Sequence, residues 1–336
     1  MNITVTSVLW FVGALFMSMI ITVLLEKRFI PTLMRIKMGQ TILEIGPRWH
    51  KSKEGTPTMG GIFFIAAIYI TTFVLALYYA VCNNDLSILI LLVFMFMNGL
   101  IGFADDYVKF IKKRNKGLSP MQKMVFQFAA AALFLLSLEL GGYIDTSLAL
   151  PFTSTRVELG MAYYILSLFF IVYITNSVNL TDGIDGLCAS VTLVVSVLFG
   201  GMALSASIAA GVCDVSKLVL FGAITGGMFG FLVYNFHPAR VFMGDTGSLF
   251  LGAAVVGAAY IFDAPLIAMF AGLIYVIESL SVVIQVTSFK LTGKRVFKMS
   301  PIHHHFEMCG WGEVKIVAVF SVLTVIFSVL AYFMFR

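Results

Sequence analysis

Long apolar runs, separated by short polar segments, are the feature that most constrains the fold of this chain. A helix needs about 20 apolar residues to cross the hydrocarbon core of a membrane, whereas a transmembrane β-strand alternates apolar and polar residues. The runs do not alternate, and ten of them can be counted: Val5–Leu25, Gly60–Cys82, Leu86–Ala104, Pro120–Leu140, Leu159–Val178, Leu187–Val212, Leu218–Phe236, Gly247–Phe262, Ala264–Phe289 and Val314–Phe335. The sequence therefore predicts an all-α polytopic membrane protein with about ten transmembrane helices.

Composition supports a single integral membrane domain over residues 1–336. Hydrophobic residues make up 60% of the chain and charged residues 12%, whereas soluble domains carry roughly 25% charged residues. A water-soluble enzyme is excluded, because so little charge could not cover its surface. The sequence also shows no internal repeat of the kind that builds inverted-repeat transporters.

The basic residues are segregated between the two sets of loops. With ten spans, one set and its flanking residues hold 19 of the 22 Lys and Arg residues, and the other set holds Arg156, Lys217 and Arg336. Because Lys and Arg collect on the cytoplasmic side of membrane proteins, the basic loops are predicted to face the cytoplasm and both termini to face outward. The outer segment from Asp145 to Glu158 is expected to be either a small extracytoplasmic β-hairpin or an unstructured connector.

The first polar cluster is the pair Asp105 and Asp106, at the predicted cytoplasmic end of the third run. Two adjacent carboxylates repel each other and lose hydration near a bilayer, so neutralisation by a metal ion or by Lys109 is expected. One carboxylate would then face the metal and the other a phosphate or Lys109. The alternative is an interfacial helix end with solvated acids.

Amides and acids recur in the second cluster, at the inner end of the fifth run. Asn179, Asp182 and Asp185 are spaced by three residues, and each Asp is followed by a glycine, Gly183 or Gly186. The glycines are expected to end the helix and to let the backbone approach a ligand. An ordinary polar turn is the alternative, but it would not need so many amides and acids close to the hydrocarbon.

A third cluster runs from Asn235 to Ser248 and contains the turn Gly244-Asp245-Thr246. This turn opens the eighth run, so the free N–H groups of a helix N-terminus lie beside a carboxylate. Helix N-termini attract anions, and the arrangement suits a metal ion together with a phosphate. A simple helix-capping role for Asp245 is the alternative.

Three consecutive histidines, His303 to His305, form a fourth cluster next to a basic loop. Adjacent side chains diverge and zinc sites use spaced ligands, so hydrogen bonding to a phosphate or a sugar is the better interpretation. Lys53 and Thr58, in the long first loop, either help to anchor the chain to anionic lipid heads or contact an extended polar ligand.

Together these clusters favour magnesium-dependent phosphoryl transfer at the membrane surface. Sites that are rich in carboxylates and lack cysteine favour Mg²⁺, which commonly bridges substrate phosphates. Nearby cations suit a polyphosphate substrate, and the position at the bilayer boundary implies that one reactant is a lipid. A nucleic-acid partner is not expected.

The motifs resemble those of the polyprenyl-phosphate N-acetylhexosamine-1-phosphate transferases. The matching segments are Lys53–Gly61, Asp105–Lys109, Asn179–Gly186, Met243–Ser248 and Pro301–Glu307. The first and last of these look like the branch of the family that begins the membrane steps of peptidoglycan synthesis. The resemblance implies transfer of phospho-MurNAc-pentapeptide from UDP-MurNAc-pentapeptide to undecaprenyl phosphate, which gives lipid I and UMP.

The resemblance also implies several properties of the whole protein. These are Mg²⁺ dependence, a homodimer in the bacterial cytoplasmic (inner) membrane, an active site that faces the cytoplasm, and a groove that nucleoside antibiotics occupy. The ninth helix would be broken, and it would carry Glu278 and Gln285 between Ala264 and Phe289.

Roles for individual residues follow from the same resemblance. Asp245 is expected to hold Mg²⁺, with Asp105 and Asp106 beside it at the reacting phosphates. Lys109 is expected to be a charge partner, and His304 a further catalytic residue. Residues expected to bind the substrate are Lys53, Thr58, Asn179, Asp182, Gly183, Asp185, Asn235, Phe242, Gln285, His303 and His305.

The sequence is compatible with two mechanisms of transfer. Either the lipid phosphate attacks the sugar-linked phosphorus directly, or an aspartate attacks first and forms an acyl-phosphate intermediate. We favour direct attack, because positioning and electrostatics supply most of the catalysis in phosphoryl transfer.

Transfer of GlcNAc-1-phosphate to the same lipid is the closest alternative function. An ion-coupled transporter is disfavoured, since only Glu278 is expected within a span and a path needs polar groups at every depth.

Overall fold

The structure, a computed structural model, describes residues 2–36, 53, 55–112, 116–153 and 155–335. Within these residues the chain forms the following elements: α1 Ile3–Arg35, α2 Gly61–Cys82, α3 Ser87–Ile111, α4 Pro120–Leu140, β1 Ser147–Ala149, β2 Arg156–Glu158, α5 Met161–Thr181, α6 Leu187–Ala210, α7 Val215–Asn235, α8 Gly244–Ile261, α9 Ile267–Ala271, α10 Leu273–Thr292, α11 Ile302–Glu307 and α12 Glu313–Met334. Among the described helices, all except α9 and α11 are long and apolar enough to cross a membrane, which gives ten spans. The predicted all-α multi-pass architecture is confirmed.

Helices that carry the polar clusters extend beyond the apolar runs that predicted them. The helix α3 continues past Ala104 to Ile111, and α8 begins at Gly244. Helical hydrogen bonding does not stop where apolar residues stop, so polar residues form the ends of these helices. Asp105 and Asp106, which follow the third apolar run, therefore lie in the last two turns of α3.

Glycines let neighbouring helices approach α8 closely. Gly102 of α3 lies against the backbone of Asp245, and a Cβ atom at this glycine would overlap the Asp245 carbonyl group. At the start of α2, a Cβ atom on Gly61 would lie 2.5 Å from the Cα atom of Gly247. Small residues are typical of close helix contacts in membrane proteins. The packing fixes the start of α8 beside the end of α3 and the start of α2.

The ninth apolar run, Ala264–Phe289, folds as two helices, of which α10 alone is long enough to cross a membrane. The short helix α9 ends at Ala271, and α10 begins at Leu273 after Gly272. Both Glu278 and Gln285 are buried on α10.

A short antiparallel hairpin lies between α4 and α5. Leu148 of β1 pairs with Val157 of β2. Arg156 links the hairpin to the segment that follows α8 through an ion pair of 2.7 Å with Asp263. The side of the membrane on which the hairpin and the two termini lie remains a prediction.

The first helix carries a buried acid that the apolar runs did not place inside a span. Because α1 continues to Arg35, Glu26 lies within it, and the residue is fully buried. Both carboxylate oxygens of Glu26 lack a hydrogen-bond partner among the described residues, as do the hydroxyls of Thr22 and Ser18 on the preceding turns. The expectation that Glu278 is the only acid within a span is therefore wrong, and Glu139 near the end of α4 contradicts it as well.

Candidate active site

Three carboxylates converge at one end of the helix bundle. Asp105 and Asp106 lie near the end of α3, and Asp245 lies in the first turn of α8. One oxygen from each carboxylate lies within 4.8 Å of the others. The close packing at Gly102 produces this convergence, because it sets α3 directly against the backbone of Asp245. We call these three residues the carboxylate cluster.

Two lysines neutralise part of the carboxylate cluster. Lys109 Nζ lies 2.6 Å from Asp105 Oδ2 and 2.9 Å from Asp245 Oδ2. Lys123 Nζ, from the first turn of α4, lies 2.8 Å from the same Asp245 oxygen. With every group ionised, three carboxylates and two ammonium groups leave one excess negative charge. The site therefore attracts a cation while it still offers positive groups to a phosphate.

Hydrogen bonds fix the orientation of each carboxylate. Asp106 Oδ2 accepts from the backbone N–H and the hydroxyl of Thr246, at 2.9 and 2.8 Å. Asp245 Oδ1 accepts from Asn179 Nδ2 at 2.8 Å, and Asp105 Oδ1 accepts from a backbone N–H of the α3–α4 connection at 2.8 Å. Each carboxylate thus turns one oxygen to the protein and the other toward the lysines. A metal ion that binds the oxygens on the lysine side would compete with the two ammonium groups.

The end of the first long loop is hydrogen-bonded to the segment that precedes α8. Phe242 donates its backbone N–H to the carbonyl of Pro57 at 2.8 Å and accepts the N–H of Gly60 at 2.9 Å. Gly244 has a φ of +70°, which favours glycine. A Cβ atom at this position would also lie 2.9 Å from Thr58 Oγ1. Thr58 therefore lies at the edge of the carboxylate cluster.

A second charged group, which we call the Asp185 cluster, consists of Lys53, Asp185, His237 and Glu313. Lys53 Nζ lies 2.6 Å from Asp185 Oδ1 and 2.7 Å from Glu313 Oε2. Asp185 Oδ2 lies 3.0 Å from His237 Nδ1. The two carboxylates and the histidine are close enough to share a metal ion, but the Lys53 ammonium group already lies between the carboxylates. The cluster ties together the first loop, the α5–α6 and α7–α8 connections and the start of α12.

Asn235, the last residue of α7, binds the turn between α5 and α6. Its Oδ1 accepts the N–H of Gly186 at 3.1 Å, and its Nδ2 donates to the carbonyl of Val241 at 2.9 Å. The helix α5 ends at Thr181, and Gly186 has a φ of +78°. The prediction that the helix ends at the glycine-containing turn is confirmed.

Asp182 and Gly183 lie in this turn. Burial, together with the negative charges of Asp245 and two other nearby carboxylates, raises the pKa of Asp182 to about 8. Gly183 packs on the imidazole of His303, and a Cβ atom at this glycine would overlap His303 Nε2. The turn therefore brings a carboxyl group of unusual pKa close to the carboxylate cluster.

The three histidines of α11 have three different partners. His303 is fully buried, and its Nδ1 lies 3.0 Å from Glu278 Oε2. His304 Nδ1 lies 2.6 Å from Glu307 Oε2, and His305 Nδ1 accepts a backbone N–H from the preceding loop at 3.1 Å. The expected divergence is not complete, because the rings of His303 and His304 are in edge contact with their centroids 4.1 Å apart. The buried position of His303 places it beneath the Gly183 turn rather than at the protein surface.

Gln285 was expected to line the substrate groove, but its amide group is bonded to the protein. Its Oε1 accepts the N–H groups of Val296 and Phe297 at 3.0 and 2.9 Å, and its Nε2 donates to the Phe297 carbonyl at 2.9 Å. The side chain therefore holds the loop between α10 and α11. A contact between Gln285 and the substrate remains a prediction.

The sequence did not single out Lys123, His237 or Glu313 as site residues. Lys123 is 122 residues from its partner Asp245, and Glu313 is 260 residues from Lys53. A local pattern cannot reveal contacts at such separations. The available signal was a charged residue in the first turn of a predominantly apolar helix, which both Lys123 and Glu313 provide.

Family models of known proteins match the parts of the chain that contain this site. The model of glycosyl transferase family 4 matches residues 88–263, a range that contains the whole carboxylate cluster. Fold and site thus define a multi-pass membrane transferase of glycosyl transferase family 4. A signature of the phospho-N-acetylmuramoyl-pentapeptide-transferases matches residues 53–65, which include Lys53 and Thr58.

Similar proteins cover nearly the whole chain. Three of these relatives bear the name phospho-N-acetylmuramoyl-pentapeptide-transferase. The relative from Clostridium perfringens (strain SM101 / Type A) is 44% identical to this chain over 322 residues, which is 96% of this chain and 95% of the relative. The relative from Shouchella clausii is 44% identical over 320 residues, 95% of each chain. That from Bacillus mycoides is 42% identical over 316 residues, 94% of this chain and 95% of its own. The chain therefore belongs to the phospho-N-acetylmuramoyl-pentapeptide-transferase family, and the resemblance of the motifs is confirmed.

Proposed function

We propose that this enzyme transfers phospho-MurNAc-pentapeptide from UDP-MurNAc-pentapeptide to undecaprenyl phosphate, and that lipid I and UMP are the products. The observation that carries the proposal is the carboxylate cluster with Lys109 and Lys123, at the ends of helices that can cross a membrane. A water-soluble diphosphate and a lipid phosphate can meet at such a place. Membership of the family supports the choice of these two substrates.

Mg²⁺ is the cofactor that we propose for the carboxylate cluster. Carboxylate oxygens are preferred ligands of Mg²⁺, and three of them lie within 4.8 Å of one another. The donor set therefore fits a hard divalent cation, with Asp245 as the principal ligand and Asp105 and Asp106 as further ligands. When bound, Mg²⁺ would stabilise the negative charge of the phosphates and of the departing UMP.

The protein groups around the cluster would bind and orient the two phosphates. Lys109 and Lys123 supply positive charge beside the carboxylate oxygens with which they are paired. Asn179 holds Asp245 in place through its amide. Since the second pKa of a phosphate is near 6, the lipid phosphate is mostly ionised at neutral pH and needs no strong base.

We propose a single displacement. An oxygen of the lipid phosphate forms a bond to the sugar-linked phosphorus while the bond from that phosphorus to the UMP oxygen breaks. Asp105 is ion-paired to Lys109 at 2.6 Å, and Asp106 accepts two hydrogen bonds from Thr246; both contacts reduce the nucleophilicity of a carboxylate. Incorporation of labelled UMP into the nucleotide sugar in the absence of lipid acceptor would instead require the two-step path.

The nucleoside part of the donor is proposed to bind at the Asp182–Gly186 turn, which Asn235 holds in place. The other residues that we propose to contact the substrate are Lys53, Thr58, Asp185, Phe242, Gln285, His303 and His305. His304 is proposed as a further catalytic residue. Nucleoside antibiotics are proposed to occupy the same groove.

The proposed location is the bacterial cytoplasmic membrane, with the active site facing the cytoplasm. The connections that carry both clusters belong to the set that holds 19 of the 22 basic residues, and such loops remain in the cytoplasm. The similar proteins come from bacteria. A homodimer is proposed from the family resemblance.

The direct test is an assay of UMP release by purified protein with UDP-MurNAc-pentapeptide, undecaprenyl phosphate and Mg²⁺. We expect UMP and a lipid-linked product in equal amounts, and only when both substrates and Mg²⁺ are present. UDP-GlcNAc in place of the donor serves as the matched comparison. Product from UDP-GlcNAc but not from UDP-MurNAc-pentapeptide would contradict the proposal.

A further inference from the structure

Glu313, at the start of α12, contacts two residues at the proposed nucleoside end of the donor site. Its Oε2 accepts from Lys53 Nζ at 2.7 Å and from the backbone N–H of Asp185 at 2.9 Å. The residue is buried. It lies outside the motifs that carry the family resemblance. One carboxylate oxygen therefore joins the first loop, the α5–α6 turn and α12.

Two successive N–H groups of the α5–α6 turn are bound by side chains from different helices. Glu313 accepts the N–H of Asp185, and Asn235 accepts the N–H of Gly186 at 3.1 Å. The left-handed conformation of Gly186 prevents this part of the turn from continuing the helix. The conformation of the turn therefore depends on these two side-chain acceptors.

The same oxygen of Glu313 contributes to the position of the Lys53 ammonium group. Lys53 makes short contacts with two buried carboxylates, at 2.6 and 2.7 Å, and its side chain is only 14% exposed. Hydrogen bonds between charged groups are about twice as strong as those between neutral groups. Without the charge of Glu313, Lys53 would keep Asp185 as its single ionic partner and would follow the motion of that side chain.

We infer that Glu313 is a positioning residue for the nucleotide donor: it holds Lys53 and the Asp185–Gly186 backbone in the geometry that binds the nucleoside part. The inference rests on the proposed function. The described contacts of Glu313 lie in the Asp185 cluster and not in the carboxylate cluster. Its loss should therefore weaken donor binding while the chemical step is preserved.

The experiment measures kcat and both KM values for full-length wild-type, Glu313→Gln and Glu313→Asp enzymes in the UMP-release assay. Glu313→Gln keeps the shape and an acceptor for the Asp185 N–H but removes the charge next to Lys53. We expect its KM for UDP-MurNAc-pentapeptide to rise about tenfold, as for the loss of one charge-assisted hydrogen bond. The KM for undecaprenyl phosphate and kcat should stay within about twofold, and Glu313→Asp should restore most of the donor affinity.

Two controls separate positioning from general destabilisation. Glu139→Gln makes the same chemical change at an exposed site near the end of α4, whereas Lys123 lies at its start. This control should leave kcat and both KM values unchanged. In a double-mutant cycle, Lys53→Met and Glu313→Gln should be non-additive for donor KM, because Glu313 acts through Lys53. The thermal midpoint of each variant reports whether it folds.

Three outcomes would overturn the inference. The first is an unchanged donor KM in Glu313→Gln. The second is a variant in which kcat, the affinities for both substrates and the thermal midpoint all fall together. The third is strict additivity of the effects of Glu313→Gln and Lys53→Met on donor KM. A wild-type enzyme that releases no UMP from the two substrates would instead contradict the proposed function. A failure of the positioning role of Glu313 can therefore be distinguished from a failure of the proposed function.

Discussion

Lys123 Nζ lies 2.8 Å from Asp245 Oδ2, on the carboxylate oxygen that the proposed Mg²⁺ ion would use. Lys109 Nζ lies 2.9 Å from the same oxygen. An ammonium group and a divalent cation compete for one carboxylate oxygen, so the lysines stabilise the cluster when no metal is bound. With a cation held by the carboxylate cluster, the two lysines would be able to pair with the phosphates instead.

Replacement of Lys123 by Met should raise the affinity for Mg²⁺ and lower turnover. We expect Mg²⁺ to bind about threefold more tightly, because a competing cation is lost. Turnover should fall about tenfold or more, because one positive group no longer stabilises the phosphates. Calorimetric titration with Mg²⁺ and the UMP-release assay measure the two effects.

Lys217→Met is the matched control for this substitution. Lys217 pairs with Asp214 at the start of α7, away from the carboxylate cluster. This variant should change neither quantity. Weaker Mg²⁺ binding by Lys123→Met would contradict the competition that the geometry indicates.

Asp182 should make Mg²⁺ binding dependent on pH. Its pKa is raised to about 8, first by burial and then by the charges of Asp245 and Asp106. A cation at the carboxylate cluster offsets those negative charges and lowers the pKa of Asp182 again, so binding releases a proton at neutral pH. Affinity for Mg²⁺ should therefore rise between about pH 6 and about pH 9 and level off above that range.

Calorimetry in buffers of different ionisation enthalpy counts the released protons. Asp182→Asn should reduce both the proton release and the pH dependence, because the amide does not titrate. If wild type and Asp182→Asn released the same number of protons, the titration would have to be assigned to other groups.

Gly102→Ala should damage the site from a position that makes no polar contact with it. The added methyl group would overlap the Asp245 carbonyl and force α3 and α8 apart. Overpacking of this kind costs about 1–3 kcal/mol of stability, and it also separates Asp105 and Asp106 from Asp245. We expect a lower thermal midpoint and a turnover reduced about tenfold or more.

Gly201→Ala offers a control on α6, where a Cβ atom would have no neighbour within 4 Å. Alanine favours a helix over glycine, so this variant should be as stable as wild type or slightly more stable. Wild-type turnover and stability in Gly102→Ala would show that the close contact of α3 and α8 is not required.

Glu26→Met should stabilise the protein. Both oxygens of Glu26 are buried without a hydrogen-bond partner among the described residues, and an unsatisfied buried polar group costs about 1–3 kcal/mol. The thermal midpoint in detergent should rise, while turnover stays the same because Glu26 belongs to neither cluster. The exposed neighbour Lys27 provides the control, and Lys27→Met should have a small effect. A lower midpoint for Glu26→Met would mean that this carboxyl group has a partner.

The sequence predicted the features that depend on local pattern. The ten apolar runs gave the ten spans, because span length follows directly from bilayer thickness. Glycines next to Asp182 and Asp185 predicted the end of α5, since glycine readily leaves the helical conformation. Neither periodicity nor the family resemblance predicted that the ninth run divides at Gly272, before the continuous helix that carries Glu278 and Gln285.

Features that depend on packing between distant segments could not be predicted. The third apolar run ends at Ala104, so it could not show that α3 continues to Ile111 and carries Asp105 and Asp106. The convergence of α3 and α8 depends on the absence of a side chain at Gly102. The contact between Lys53 and Glu313 joins residues 260 positions apart, and only the folded chain reveals it.

Single-turnover UMP release by Asp105→Asn and Asp245→Asn tests the role of the carboxylate cluster most directly. Each substitution preserves shape but removes a charge from the group that is proposed to bind Mg²⁺. We predict that each lowers turnover by at least about a hundredfold, the scale expected for lost transition-state stabilisation. The exposed residue Asp145, on the hairpin, provides the control Asp145→Asn. Near-normal turnover in both cluster variants, with the fold intact, would contradict the account.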